Sequence, residues 1–280
     1  QHNRLVAFAI DHRYQFNQWA RSAGKTPADI AKFKQLAVQA AQQEAGQDVG
    51  FGMLVDDRTG RAALHQITST NAWVGRPIEA SGEFPLQLEA EGEIVQHLSD
   101  WPLNQTVKVL CPYRLDDDAA TRQHHEQLIL NLDRACRFTG HQWLLEIITA
   151  RDNNSPAFDQ VSPIMQHFYD LGVKPDWWKL EPALNNAYWQ LVGEVIDKND
   201  IYCQGVIVLG LNGTIESISE AFYVAAKQPW VKGFAIGRTL FSEAAQGWLK
   251  GHLDDAQAVA LMAKKYQLII AAWDNAQVQK

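Results

Sequence analysis

The chain has only three cysteines, Cys111, Cys136 and Cys203. They are too few and too scattered for a disulfide framework or a thiolate metal cluster, so reduced thiols and a cytoplasmic setting are the expectation. Long apolar runs are missing too. None reaches the length of a membrane span, and no signal peptide opens the chain. Positive charge is scarce: 25 Lys and Arg stand against 32 Asp and Glu, a net charge of −7. That balance argues against a nucleic acid partner and against an anionic membrane surface. An anionic ligand would need cations gathered locally in a pocket. His65, His97, His141, His167 and His252 show no metal-ligand spacing. The adjacent His124 and His125 cannot share one face of a helix, and they read as solvated surface. No linker, low-complexity tract or second domain interrupts the 280 residues.

What the chain does have is rhythm. Short apolar runs recur at Leu5–Ile10, Phe51–Val55, Ala72–Ile78, Thr106–Leu110, Trp143–Ile148, Asp176–Leu180, Gly205–Leu209 and Lys232–Ile236. Helical patterns intervene, clearest at Pro27–Glu44, Asp117–Phe138, Asn186–Asp197, Ile215–Ala226 and Ala256–Trp273. Short buried strands alternating with helices imply a parallel sheet covered on both faces. Eight such units in this length predict a single (β/α)8 TIM barrel over residues 1–280. An open doubly wound sheet would want a glycine-rich phosphate loop after the first strand, where Asp11-His12-Arg13 stands instead.

A barrel carries its chemistry at the C-terminal ends of its strands. Asp11, His12 and Arg13 follow the first strand, and Arg76 and Glu79 bracket the end of the third. Lys108 lies inside the fourth, Glu146 inside the fifth, Lys179 inside the sixth, and Arg238 follows the eighth. Alternation puts Trp177, Lys179 and Glu181 on one face of their strand, with Glu146 between Leu144 and Ile148 on its own. One tryptophan of the Trp177-Trp178 pair then packs about the lysine and the other points away. Burial favours the neutral, nucleophilic form of a lysine, which a Schiff-base enzyme needs. The bland alternative is a lysine that merely pairs with Glu146 or Glu181. Asp56 and Asp57 leave loop structure and a site role both open. The Asp116-Asp117-Asp118 run reads as a helix N-terminus. The Gly210-Leu-Asn212-Gly213 loop and Arg238 sit where barrels bind phosphate, the loop through uncrowded N–H groups and the arginine through its planar fork.

Leu144-Leu-Glu146, Asp176-Trp-Trp-Lys179-Leu-Glu181-Pro182 and Gly233-Phe-Ala-Ile-Gly-Arg238 resemble class I aldolases of the tagatose-bisphosphate type. There a strand-five glutamate, a strand-six Schiff-base lysine and an arginine after strand eight act together. Ala9-Ile-Asp11-His12-Arg13 resembles their first-strand Asp-X-Arg signature. His12 stands where they usually carry glutamine, and Leu209-Gly-Leu-Asn-Gly213 where they carry a serine-rich turn. The chain is more similar still to the aldolase domain found behind 5-dehydro-2-deoxygluconokinase in bacterial myo-inositol catabolism, through Pro175–Pro182 and Lys232–Arg238.

That resemblance implies cleavage of 2-deoxy-5-keto-D-gluconate 6-phosphate to dihydroxyacetone phosphate and malonate semialdehyde, without metal or other cofactor. It makes Lys179 the nucleophile, with Glu146 and Asp11 as acid/base groups. Arg238, Gly210 and Asn212 would hold the phosphate, with His12 among the substrate-binding residues. Lys108 or Arg13 would meet the C1 carboxylate. A fused sugar kinase domain and a homo-oligomer are compatible with it. Competing readings are an aldolase for another ketose phosphate (tagatose bisphosphate or a sulfosugar phosphate) and a non-catalytic sugar-phosphate-binding barrel.

Overall fold

In–out alternation along the apolar runs, interrupted by a register shift at the start of the last strand, produces strands whose two faces lie in different cores. The structure, a computed structural model, describes residues 3–48, 50–90, 92–150 and 156–278. Its strands are β1 (Leu5–Ala9), β2 (Phe51–Leu54), β3 (Trp73–Pro77), β4 (Gln105–Pro112), β5 (Trp143–Ile148), β6 (Trp177–Leu180), β7 (Gly205–Leu209) and β8 (Val231–Ile236). They pair in parallel in chain order, and β8 closes on β1. The helices are α1 (Tyr14–Ser22), α2 (Pro27–Ala45), α3 (Arg61–Thr68), α4 (Ile94–Ser99), α5 (Ala119–Thr139), α6 (Phe158–Asp170), α7 (Asn186–Asn199), α8 (Ile215–Ala225), α9 (Arg238–Leu249) and α10 (Asp255–Val278). This is a (β/α)8 barrel, as the strand rhythm predicts.

Inward-facing Leu5, Ala7, Ala9, Leu54, Trp73, Leu144, Trp177, Ile207 and Ala235 fill the barrel as one small core. The outward faces join the helices in a much larger one. Trp73 and Trp177 meet edge to face at 6.2 Å and occupy most of the interior below the site. Such crowding leaves room only for hydrogen at Gly75, where a Cβ would stand 2.2 Å from Leu54 Cδ2. Trp178 points the other way, its Nε1 donating to Tyr169 Oη at 2.9 Å. The tryptophan pair therefore divides as expected. Trp177 fills the interior beneath Lys179, and Trp178 locks β6 to α6.

Two expectations need correction. His125 is fully buried, not solvated: its Nε2 accepts from Leu86 N at 2.9 Å, while His124 Nε2 meets Leu86 O at 2.7 Å. Adjacent helix positions do diverge, but here a segment returning from β3 drops its Leu86 peptide between the two rings. Arg76 is not at the strand mouth. Parity turns it outward, stacked 3.8 Å from the Trp101 ring and paired with Asp57 at 3.3 Å. The acidic run matches its reading as a helix start, since Asp118 caps α5 by accepting from Thr121 N.

Candidate active site

The same parity that builds the inner core turns charge inward one layer higher. Glu146 and Lys179 are register partners across β5 and β6, so both side chains enter the barrel at one level. Lys179 Nζ lies 2.9 Å from Glu146 Oε1. The other oxygen of Glu146 lies 3.0 Å from Lys108 Nζ, which also meets Glu79 Oε1 at 3.0 Å and Asp11 Oδ2 at 3.2 Å. Arg13 completes the line through Glu79 at 2.9 Å and Glu89 at 3.1 Å. Signs thus alternate from Lys179 to Glu89, the arrangement that lets charges survive desolvation. Burial alone would lower the Lys108 pKa, but Glu146, Glu79 and Asp11 together raise it above the ordinary lysine range. Burial pushes Asp11 and Glu146 up, and the neighbouring lysines more than reverse this, so both carboxyls sit below their usual values.

Above this layer opens a cleft with about 340 Å³ of unfilled space, counted to its mouth. Lys179, Glu146, His12, Gly210, Asn212 and Arg238 all line it. Six of the nine residues expected at the site are therefore brought to one cavity. Asp11 and Lys108 stand beside it, behind Glu146. Arg13 is placed differently: its guanidinium is spent on the Glu79 carboxylate, the Glu79 carbonyl and Glu89.

The wall next to Lys179, past the ends of β7 and β8, consists of two loop-to-helix junctions. Leu211 and Asn212 adopt left-handed φ values of 43° and 61° in the turn after β7. Thr239 Oγ1 donates to Gly213 O at 2.7 Å and ties that turn to the start of α9. Arg238 is the first residue of α9, and its guanidinium makes no ion pair or hydrogen bond among the described residues. Burial lowers its pKa, opposed by the charge of Glu146. A partly desolvated arginine at a helix N-terminus, without an ion pair among the described residues, is suited to an anion.

A family model described as "Uncharacterized protein conserved in bacteria (DUF2090)" matches residues 1–277. The chain belongs to that family. Comparison with curated proteins gave no match. Among solved structures, this DUF2090 chain is similar to a fructose-bisphosphate aldolase from Plasmodium falciparum, determined in complex with TRAP and a small molecule inhibitor. The TM-score is 0.69 at 11% identity, over 98% of this chain and 91% of that one. At that identity the likeness is one of fold.

Several site features of this DUF2090 member escape sequence reasoning, or were seen without a role. Glu79 stands at a strand end and proves central, joining Lys108, Arg13 and the Leu110 N–H. Continuing the inward parity of Trp73, Gly75 and Pro77 by one step would have pointed to it. Lys34 of α2 is wholly buried, paired with Asp56 and donating to the His12 carbonyl at 3.0 Å. Asp56 is thereby structural, as is Asp57, which pairs with Arg61 and Arg76. Glu181 does not reach Lys179. It accepts from Thr149 and the Ala150 N–H at the end of β5. Among the described residues no three His, Cys, Asp or Glu side chains come together as a metal-binding group.

Proposed function

We propose that this barrel is a class I aldolase in which Lys179 forms the Schiff base. The observation that carries the reading is the buried Lys179–Glu146 pair opening into the same cleft as Arg238, which has no ion pair among the described residues. A sugar-phosphate-binding module would need the arginine but has no use for a nucleophile beside a carboxylate.

The substrate we propose is 2-deoxy-5-keto-D-gluconate 6-phosphate. Its phosphate would lie on Arg238 and the Gly210–Gly213 turn, which sets the C5 ketone over Lys179. Amine attack gives a carbinolamine. Glu146, 2.9 Å away, supplies and takes the protons that turn it into an iminium. The C3 hydroxyl then yields its proton to Glu146, with Asp11 as the second candidate. The C3–C4 bond breaks and its electron pair moves into an enamine between C4 and C5. Malonate semialdehyde leaves. Protonation at C4 and hydrolysis of the iminium release dihydroxyacetone phosphate and restore the lysine. The iminium is the electron sink, so the reading calls for no metal and no other cofactor. Lys108 and Arg13 are proposed for the C1 carboxylate, which would have to exchange with Glu79 or Glu89 to reach them.

Borohydride reduction in the presence of dihydroxyacetone phosphate is expected to add the three-carbon adduct to the peptide containing Lys179, and Lys179→Met to abolish it with the fold retained by circular dichroism. A label on Lys108, or on no lysine, would overturn the assignment. Comparing the keto sugar acid phosphate with tagatose bisphosphate, by release of the shared three-carbon product, tests the substrate.

A further inference from the structure

The proposed chemistry leaves one proton without a donor. The enamine on Lys179 must be protonated at carbon, and both carboxyls near it are occupied by ammonium groups. Glu146 has an oxygen on each of Lys179 and Lys108, and Asp11 is held by Lys108. Their pKa values lie below the ordinary range, so neither carries a proton at rest at neutral pH, and the one Glu146 takes from the C3 hydroxyl is held weakly.

His12 lines the cleft beside Lys179, and its placement is over-determined. The buried Lys34, fixed by Asp56, donates to its carbonyl. The edge of Phe241 packs against its ring at 5.1 Å. Gly237 makes room for that ring: a Cβ there would lie 2.8 Å from His12 Cε1 and 2.4 Å from Ala9 O. Nδ1 is buried 3.6 Å from Asp11 Oδ1 and has no hydrogen-bond partner among the described residues. The side chain is still 30% exposed. A histidine with one nitrogen facing a fixed carboxylate and the other left for a ligand has the form of a general acid–base.

We propose that His12 is the acid–base residue that protonates the carbanionic carbon of the Lys179 enamine, a role resting on the Schiff-base reading above. The enamine π pair takes the proton from His12 Nε2, and the nitrogen lone pair of Lys179 restores the C=N bond of the iminium. The ring is left neutral and is reprotonated from solvent. Burial pushes the free His12 down to about 4. Asp11 at the end of β1 opposes this, while Arg238 of α9, Lys179 of β6 and Lys108 of β4 reinforce it. A phosphate on Arg238 and an uncharged enamine nitrogen remove two of those three repulsions. That favours the protonated ring, although burial, the largest cause of its low pKa, remains.

Dihydroxyacetone phosphate alone tests this, since its Schiff base exchanges a hydroxymethyl proton with D2O by the same step. His12→Gln is expected to lower that exchange about 100-fold or more, while borohydride still labels Lys179. Imidazole added to His12→Ala should restore part of the exchange. Exchange within threefold of wild type in His12→Gln, with labelling intact, would overturn the role. So would loss of both exchange and label in the variant, which would make the ring structural. Absence of label and exchange in the wild-type protein would instead remove the aldolase reading itself, and this role with it.

Discussion

Arg238 is the charged residue of the cleft to which the described chain offers no direct partner, and at the scale of single residues that sets its role apart. Lys179, Lys108 and Arg13 each face carboxylates, so the network is nearly self-neutralising. Arg238 is therefore the group proposed to supply the attraction for an anion. A bidentate arginine–phosphate contact is charge-assisted, and losing it should cost on the order of 2–4 kcal/mol. Arg238→Ala is therefore expected to lower kcat/KM roughly 30- to 1000-fold on the phosphorylated substrate. On the unphosphorylated sugar it should change little. Equal losses on both would assign Arg238 to the fold. The sequence already carried Lys179, Glu146 and Arg238, because charged residues inside apolar strands or just past them are conspicuous. It did not reveal that Arg13 is consumed by Glu79 and Glu89, since ion pairing between loops distant in the chain leaves no local trace.

At the scale of elements, the strut from α2 to β1 is the least expected support of the site. Lys34 is one of two lysines on α2, yet it is wholly buried between Asp56 and the His12 carbonyl. Its helix period places it on the apolar face, and only the end of β2 provides its counter-charge. Burial lowers its pKa, against the pull of Asp56. Removing one partner of a buried pair leaves the other uncompensated, at about 3–5 kcal/mol. Lys34→Met is expected to lower Tm by about 6–20 °C in a domain of this size, read by thermal unfolding. Replacing Asp56 as well, by leucine, should recover part of the loss. A single variant as stable as wild type would show the pair to be dispensable. The eight strands and the helices α2, α5, α7, α8 and α10 were legible to within a residue or two at most ends, because the short buried runs have sharp polar borders, whereas α1, α3, α4, α6 and α9 received no bounds.

For the molecule as a whole, the alternating network couples stability to pH. Asp11 and Glu146 have folded-state pKa values below their unfolded ones, because of Lys108 and Lys179. They bind fewer protons folded than unfolded, so their contribution is present above the unfolded range of about 4 and is lost as pH falls below it. Glu181, raised by burial, works in the opposite sense. Burial raises Glu89 and Asp176 as well, and against these three stand, besides Asp11 and Glu146, the lowered carboxyls of Glu126, Asp116 and Asp255. Denaturant unfolding is expected to show a steep fall in stability below about pH 4. A flat profile down to pH 3 would mean that the network contributes nothing net to folding.

The sequence alone determined the barrel, since eight strand–helix units in this length admit few other closures. It also determined which residues bring charge to the strand ends, because alternation of period two is a local property. Tertiary structure decided which charges neutralise one another, which histidine is buried against a returning loop, and which arginine has no ion pair among the described residues. Those outcomes depend on distances between segments far apart in the chain. Pairing energy across a low-dielectric interior follows such distances and not the order of residues.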